Sequence, residues 1–251
     1  MARFVNTAWY ALTTVFAAIQ FVALLFPILM PIDGFGGFLF LGPIAAALCG
    51  YVLGPLYGVA AVLIGTLLGM FIDPRINTLA FFYFTPIMPV FSALVAGLLR
   101  KKRLIPVAII FIIATILFVI GPIGLQASSV LWVHLLALSL TLLLFVPLIK
   151  KRFEGALDMK LSSDYKVGII VLWLIVFISL LTDRILYATI LQFIMPFTVA
   201  YLTVLPLFPL EIVLASIVGC IILTVTAIGI EKLGLVLPTR SKQEVQNIVD
   251  E

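Results

Sequence analysis

Charged residues are scarce in this chain. Only 10% of its 251 residues are Asp, Glu, Lys or Arg, while 64% belong to the set Ala, Val, Ile, Leu, Met, Phe, Trp, Tyr and Cys. A soluble domain carries ~25% charge and ~45–50% apolar residues. So large an apolar surplus has no interior to hide in, which excludes a soluble globular domain, a disordered chain and a collagen-like fibre. Cysteine is equally thin. Cys49 and Cys220 stand far apart inside apolar runs, with no CxxC pair, so neither a disulfide scaffold nor a thiolate metal centre is expected. Histidine occurs once, at His134, which rules out an H-E-x-x-H zinc motif and a His-rich metal site. His134 lies two residues after Trp132 and is expected to be packed or hydrogen-bonded. The sequence also lacks a Walker A loop, a G-x-S triplet and carboxylates paired at helical spacing within an apolar run. A convergent reactive set is therefore missing; no catalysis and no cofactor are expected.

What the chain does have is long apolar runs, each near the ~20 residues that carry a helix across a bilayer. They read as Ala8–Met30, Gly37–Leu53, Leu56–Ile72, Leu79–Leu99, Leu104–Ile123, Val130–Ile149, Val167–Thr182 and Leu210–Leu233. A ninth, Leu186–Leu207, contains Gln192, Pro196, Thr198, Tyr201, Thr203 and Pro206, and Pro209 follows it. Proline disrupts helix continuity, so this segment reads as re-entrant or kinked. The fold class is all-α: a polytopic membrane helical bundle with eight spans, nine being the alternative, in one domain over residues 1–233. A polar tail occupies 234–251. The first run is too long for a signal-peptide core and lacks an A-x-A site. The runs also lack the alternation of a membrane β-barrel.

Basic residues set the orientation. Arg100-Lys101-Lys102-Arg103 is one cluster; Lys150, Lys151, Arg152, Lys160 and Lys166 form another two spans later. The positive-inside bias places both in the cytoplasm, with the N-terminus, in a cell membrane. The net charge of +4 has this source, and no nucleic-acid partner is expected. Eight spans also bring Lys232, Arg240 and Lys242 inside, which nine do not.

Residues 42–74 form a glycine-rich hairpin. Gly50, Gly54 and Gly58 recur every fourth residue, and Ala61, Gly65 and Gly69 continue the period, giving each helix a face with almost no side chain. Gly54-Pro55 makes a short turn between them. In lipid, such faces replace hydrophobic drive with close backbone contact. They are expected to pack within the chain, with docking of another subunit as the alternative.

The order of features resembles the substrate-binding S component of energy-coupling factor transporters, in its archaeal type. A Gly-rich hairpin rises to Asp73-Pro74; an aromatic helix start, small residues Ser92-Ala93 and Ala96-Gly97, and a basic cluster follow. Later, Thr182-Asp183-Arg184 precedes a Pro-broken stretch, then Pro209-Leu210-Glu211 and a last helix ending in Glu231-Lys232-Leu233. The chain differs in its larger number of spans, in having no clean AxxxA on the first helix, and in carrying Leu186-Tyr187 where a Gly-Asn often stands. The resemblance implies a high-affinity binding subunit for a small molecule such as a vitamin. Its partners would be a transmembrane coupling subunit and ATPase subunits.

Polar groups gather at the ends expected to face outward. Candidate solute-binding residues are Asp73, Asn77, Tyr83, Trp132, Asp183, Arg184, Gln192 and Glu211, because aromatic walls with a few oriented polar groups make a small-molecule pocket. Two other functions stay open. One is a non-catalytic assembly protein with a dry interior; the other is a stand-alone secondary carrier.

Overall fold

A computed structural model describes residues 2–29, 39–72, 84–124, 126, 128–158, 165–194 and 208–232. The described elements are α1 (Ala2–Leu25), β1 (Pro27–Leu29), β2 (Leu39–Phe40), α2 (Gly42–Ile72), α3 (Ile87–Arg100), α4 (Leu104–Ile120), α5 (Ser128–Leu143), α6 (Pro147–Asp158), α7 (Tyr165–Ile194) and α8 (Phe208–Lys232). Apart from the short antiparallel β1–β2 ladder, the elements among the described residues are all helices.

Among the described residues, three helices, α2, α7 and α8, are long and apolar enough to cross a membrane; the count is four if the bent pair α5–α6 is taken as one span. These helices make the chain a multi-pass membrane protein. The expectation of eight spans is corrected. Apolar runs and continuous helices do not coincide. The apolar stretches in α1, α3 and α4 run only Trp9–Leu25, Ile87–Arg100 and Leu104–Ile120. The runs 37–53 and 56–72 join as α2, broken at Gly54, whose φ of 78° and ψ of −179° are open only to glycine. The run 130–149 ends at Leu143, and a helix at 82° to it, α6, occupies part of the stretch expected to be a loop. The end expected at Thr182 is absent, because α7 continues to Ile194. Residues 195–207 and 233–251 lie outside the described residues.

Packing gives each helix its direction. The arms of α2 fold back on each other, Gly58 lying against Gly50 and Cys49. Trp9 stacks on Tyr57, with ring centroids 5.6 Å apart, while Gly42 abuts Leu24 and Gln20. The start of α1 therefore shares an end of the bundle with the Gly54 break. Lys101 lies beside Gly54, so the α3–α4 turn is at that end too. Helices α4 and α5 pack together across a short connection, which brings the α5–α6 bend back to it. Trp173 donates to Ser216 at 3.0 Å and Cys220 reaches the Ile169 carbonyl at 3.6 Å, so α8 runs antiparallel to α7 and its last turn returns to the same end. Helix α7 is central: it packs against α2, α3, α4, α5, α6 and α8.

Outward faces are apolar as well. On α4, Ile105, Ile109, Ile112, Ile113, Ile116 and Ile120 are exposed, while Val107, Phe111, Ala114 and Phe118 form the inward stripe. Only a hydrocarbon surround makes such a helix comfortable on both sides.

Candidate functional site

Helix α7 has no Gly or Pro between Ile169 and Ile194, so nothing in its backbone chemistry stops it at Thr182. Its hydroxyls reinforce it. Thr182 donates to the Ile178 carbonyl at 2.9 Å, and Thr189 to that of Ile185 at 2.8 Å. Bonds of this i−4 kind let Ser and Thr sit inside an apolar helix without an unmet donor. The polar groups Ser179, Thr182, Asp183, Thr189 and Gln192 are all buried on this one helix. Asp183, 6% exposed, lies about 27 Å along the axis from Tyr165 and about 16 Å before Ile194 at 1.5 Å per residue. It is thus not in a loop at the end of a span, as the sequence suggests, but within the helix. Arg184 beside it is half-buried.

One turn before Asp183, α7 meets α3. Ser179 Oγ lies 2.6 Å from the Ser92 carbonyl oxygen and 2.9 Å from Ser92 Oγ. A carbonyl only accepts, so Ser179 donates to it and the Ser92 hydroxyl donates to Ser179. The pair closes on itself and joins the helices without a charge.

Beyond Asp183 lies a second polar cluster. His134 on α5 stacks on Phe118 with centroids 4.3 Å apart, and Thr189 Oγ1 is 3.2 Å from its Nε2. Its Nδ1 faces the Val130 carbonyl at 3.4 Å. Gln192 reaches the end of α4. Its Nε2 donates to the Phe118 carbonyl at 3.2 Å and to that of Leu117 at 3.4 Å, and its Oε1 accepts from the Ile123 N–H at 3.4 Å. The last carbonyls of a helix have no partner within it; Gln192 supplies one from another helix. Gly121 leaves the space that its amide fills.

Of the residues proposed from sequence, Trp132, Asp183, Arg184 and Gln192 are described with their side chains, and their surroundings differ. Asp73, Asn77 and Tyr83 lie outside the described residues. Glu211 is placed as a backbone position in the first turn of α8. Trp132 is exposed, off the inward stripe formed by Val130, Val133, His134, Ala137 and Thr141 on α5. Asp183 and Gln192 are interior, and Gln192 bonds backbone. The glycines are close-contact points: Gly50 abuts the Ala93 backbone, Gly58 abuts Gly50, and Gly65 abuts Ala17 and Gln20. Gly54 makes the break, and Gly69 is buried on α2.

Sequence reasoning missed Arg100. Counted there as a loop charge, it is buried and turns inward. Its Nη1 donates to the Tyr51 carbonyl and, at 3.0 Å, to that of Val52, and its guanidinium sits 4.7 Å from the centre of the Tyr51 ring. These carbonyls end the first arm of α2, where the negative pole of the helix dipole favours a cation. A basic residue on the last turn of a helix, at a fixed distance from a Gly-Pro break, is the signal that could have found it.

No group of three His, Cys, Asp or Glu that could hold a metal ion occurs among the described residues. The arrangement can offer hydroxyls and one carboxylate along a single protein-enclosed helix, with the imidazole of α5 beside it, inside a lipid-facing shell.

No family model matches the chain, and no solved structure matches it. The chain is similar to the uncharacterized protein MJ0923 of Methanocaldococcus jannaschii, at 31% identity over 207 residues, which cover 81% of this chain and 65% of that protein. The match thus spans less than two thirds of the relative's length.

Proposed function

We propose that the chain is a membrane transport protein that binds a small solute along the polar face of α7, as an S-component-like subunit served by separate coupling and ATPase subunits. The observation that carries this reading is the burial of Asp183 deep within α7. A carboxylate at bilayer depth is costly, and such residues characteristically mark solute or ion routes. Ser179, Thr182 and Thr189 flank it on the same helix. Together they favour a solute with a cationic or hydrogen-bond-donating group.

The end of the bundle that carries the α3–α4 turn and α6 faces the cytoplasm in this reading. Lys101, Lys102, Arg103, Lys150, Lys151 and Arg152 all lie there, in keeping with the positive-inside bias. The N-terminus and the last turn of α8 share that side. The glycine faces of α2 are filled by contacts within the chain, which favours a transport role for the interior over docking through those faces.

The test is a thermal-shift screen of the purified chain against small solutes, vitamins included, with Asp183→Asn in parallel. A solute that stabilises the wild type and not the variant supports the reading. If no solute raises the wild-type midpoint, and no coupling or ATPase subunit co-purifies from the native membrane, the reading fails.

A further inference from the structure

Helix α6 turns at 82° from α5 directly after the Leu144–Val146 break. A span direction for α5 would put α6 near the plane of the bilayer surface. Its sequence divides by face. Phe153 and Ala156 are buried, and α6 packs on α7 through this side. Lys150, Lys151 and Arg152 are exposed. Beside them, at the bend, Phe145, Val146 and Leu148 are exposed too, Leu148 by 66%. Cations above a knuckle of bare apolar side chains match neither water nor hydrocarbon. They match the boundary between headgroups and acyl chains.

The neighbouring turn adds to the charge. Lys101 and Arg103 are exposed at the same end of the bundle. The one ion pair found on α6 among the described residues joins Lys150 to Glu154 at 3.9 Å, which partly neutralises Lys150. Lys151 and Arg152 are left as the main cations. Were α6 part of a span, these side chains would enter hydrocarbon; the bend avoids that cost.

We infer that α6 and the bend before it form a binding surface for anionic lipid headgroups. Leu148 and its apolar neighbours insert among the acyl chains, while Lys151 and Arg152 take the phosphate. The apolar half of the surface is what commits it to a lipid and not to a free phosphate. The inference does not depend on the proposed transport role.

A cation near an anionic surface contributes about 1 kcal/mol, or about fivefold in affinity. Removing two therefore weakens binding roughly thirtyfold. The experiment uses the full chain in a neutral detergent, titrated with phosphatidylglycerol, phosphatidylcholine or inorganic phosphate and followed by native mass spectrometry and thermal midpoint. The wild type is expected to prefer phosphatidylglycerol, with affinity falling as salt rises. The variant Lys151→Gln/Arg152→Gln is expected to lose about thirtyfold for that lipid alone, at an unchanged midpoint without lipid. Leu148→Asn is expected to weaken both lipids. Equal phosphatidylglycerol affinity in wild type and double variant would overturn the inference. So would displacement of the lipid by inorganic phosphate, which would make the site one for a soluble anion. If the double variant misfolds, absence of any preference for the anionic lipid in the wild type overturns it as well.

Discussion

Replacing Gly50 by alanine adds one methyl group at a close crossing of α2 and α3. The new Cβ would fall on the Ala93 carbonyl oxygen and would lie 2.7 Å from the carbonyl carbon and 2.8 Å from the Cα of the same residue. Backbone of α3 cannot swing aside as a side chain tip can. The helices would have to part by at least roughly 1 Å to restore the ~3.5 Å of ordinary contact. Overpacking costs ~1–3 kcal/mol where side chains can adjust, and backbone against backbone belongs at or above the top of that range. Against it stands the better helix propensity of alanine, about 1 kcal/mol. The expected net is a destabilisation of about 2 kcal/mol, close to thirtyfold in the folded-to-unfolded ratio. Gly155 on α6 is the control: a Cβ there meets nothing within 4 Å. Gly155→Ala should keep the propensity gain of about 0.5–1 kcal/mol. The assay is reversible unfolding in mixed micelles, denatured with dodecyl sulfate and followed by circular dichroism. If Gly50→Ala unfolds at or beyond the wild-type midpoint while Gly155→Ala shows its gain, the backbone notch between α2 and α3 is not real.

Arg100→Met should cost about 2–3 kcal/mol, because it strips charged hydrogen bonds from the Tyr51 and Val52 carbonyls. Arg100→Lys should recover only part, since an ammonium lacks the fork that reaches two carbonyls; the same denaturation assay reads both. Gln192→Leu takes the side-chain partner from the Leu117 carbonyl and the Ile123 N–H, and leaves the Phe118 carbonyl with the Gly121 N–H at 3.3 Å. About 1–2 kcal/mol of destabilisation is expected, with faster deuterium uptake confined to residues 117–123. Lys102 closes α3 with a φ of 58°, the Arg103 N–H bonding the Leu98 carbonyl at 2.9 Å and the Lys102 N–H that of Leu99 at 3.0 Å. That is the position where glycine is favoured, so Lys102→Gly should stabilise by about 0.5–1 kcal/mol. A drop in the midpoint would contradict the assignment.

The all-α class and the glycine hairpin were legible because both are written in local periodicity. Gly50, Gly54 and Gly58 at four-residue spacing say which face of each arm is bare, and Gly54-Pro55 says where the helix must break. Asp183 was misread for an identifiable reason. A charged pair after an apolar run usually marks a loop, and here the run continues beyond it to Ile194. What holds α7 at that level is long-range: Ser179 meets Ser92, 87 residues away. Helical hydroxyls of this sort look like any other Ser in the sequence. Gln192 looked like a solute ligand because it is polar and near an expected outer end, but its bonds go to α4, 74 and 75 residues away. Arg100 was absorbed into a run of four basic residues whose members do different things. Trp132 was grouped with Asp183 and Gln192, which are buried, whereas α5 leaves it exposed.

Two packing chemistries divide this bundle, and the division bears on what can move. Between α2 and α3 the contacts are reciprocal notches. Gly50 of α2 receives the backbone of Ala93, and Gly97 of α3 receives Pro55, whose nitrogen lies 2.5 Å from where a Cβ would be. A screw motion of α2 by one residue, about 1.5 Å and about 100°, would drive Cys49 or Tyr51 into the place of Gly50. The notches therefore fix register and rotation together, and Arg100 locks the turn from below. Around α7 the contacts are hydroxyls and amides: Ser92–Ser179, Thr189–His134, Trp173–Ser216, Gln192 to α4. Hydrogen bonds of this kind average only ~0.6 kcal/mol within a membrane and can exchange partners. A solute that competes for them has little to displace. Any rearrangement on binding is then expected at α7 and its neighbours, with α2 and α3 as the fixed frame. Deuterium exchange should be slowest across residues 44–53 and 92–99 and faster across 179–192. Slower exchange in the α7 segment than in the α2–α3 pair would reverse the assignment of frame and moving part.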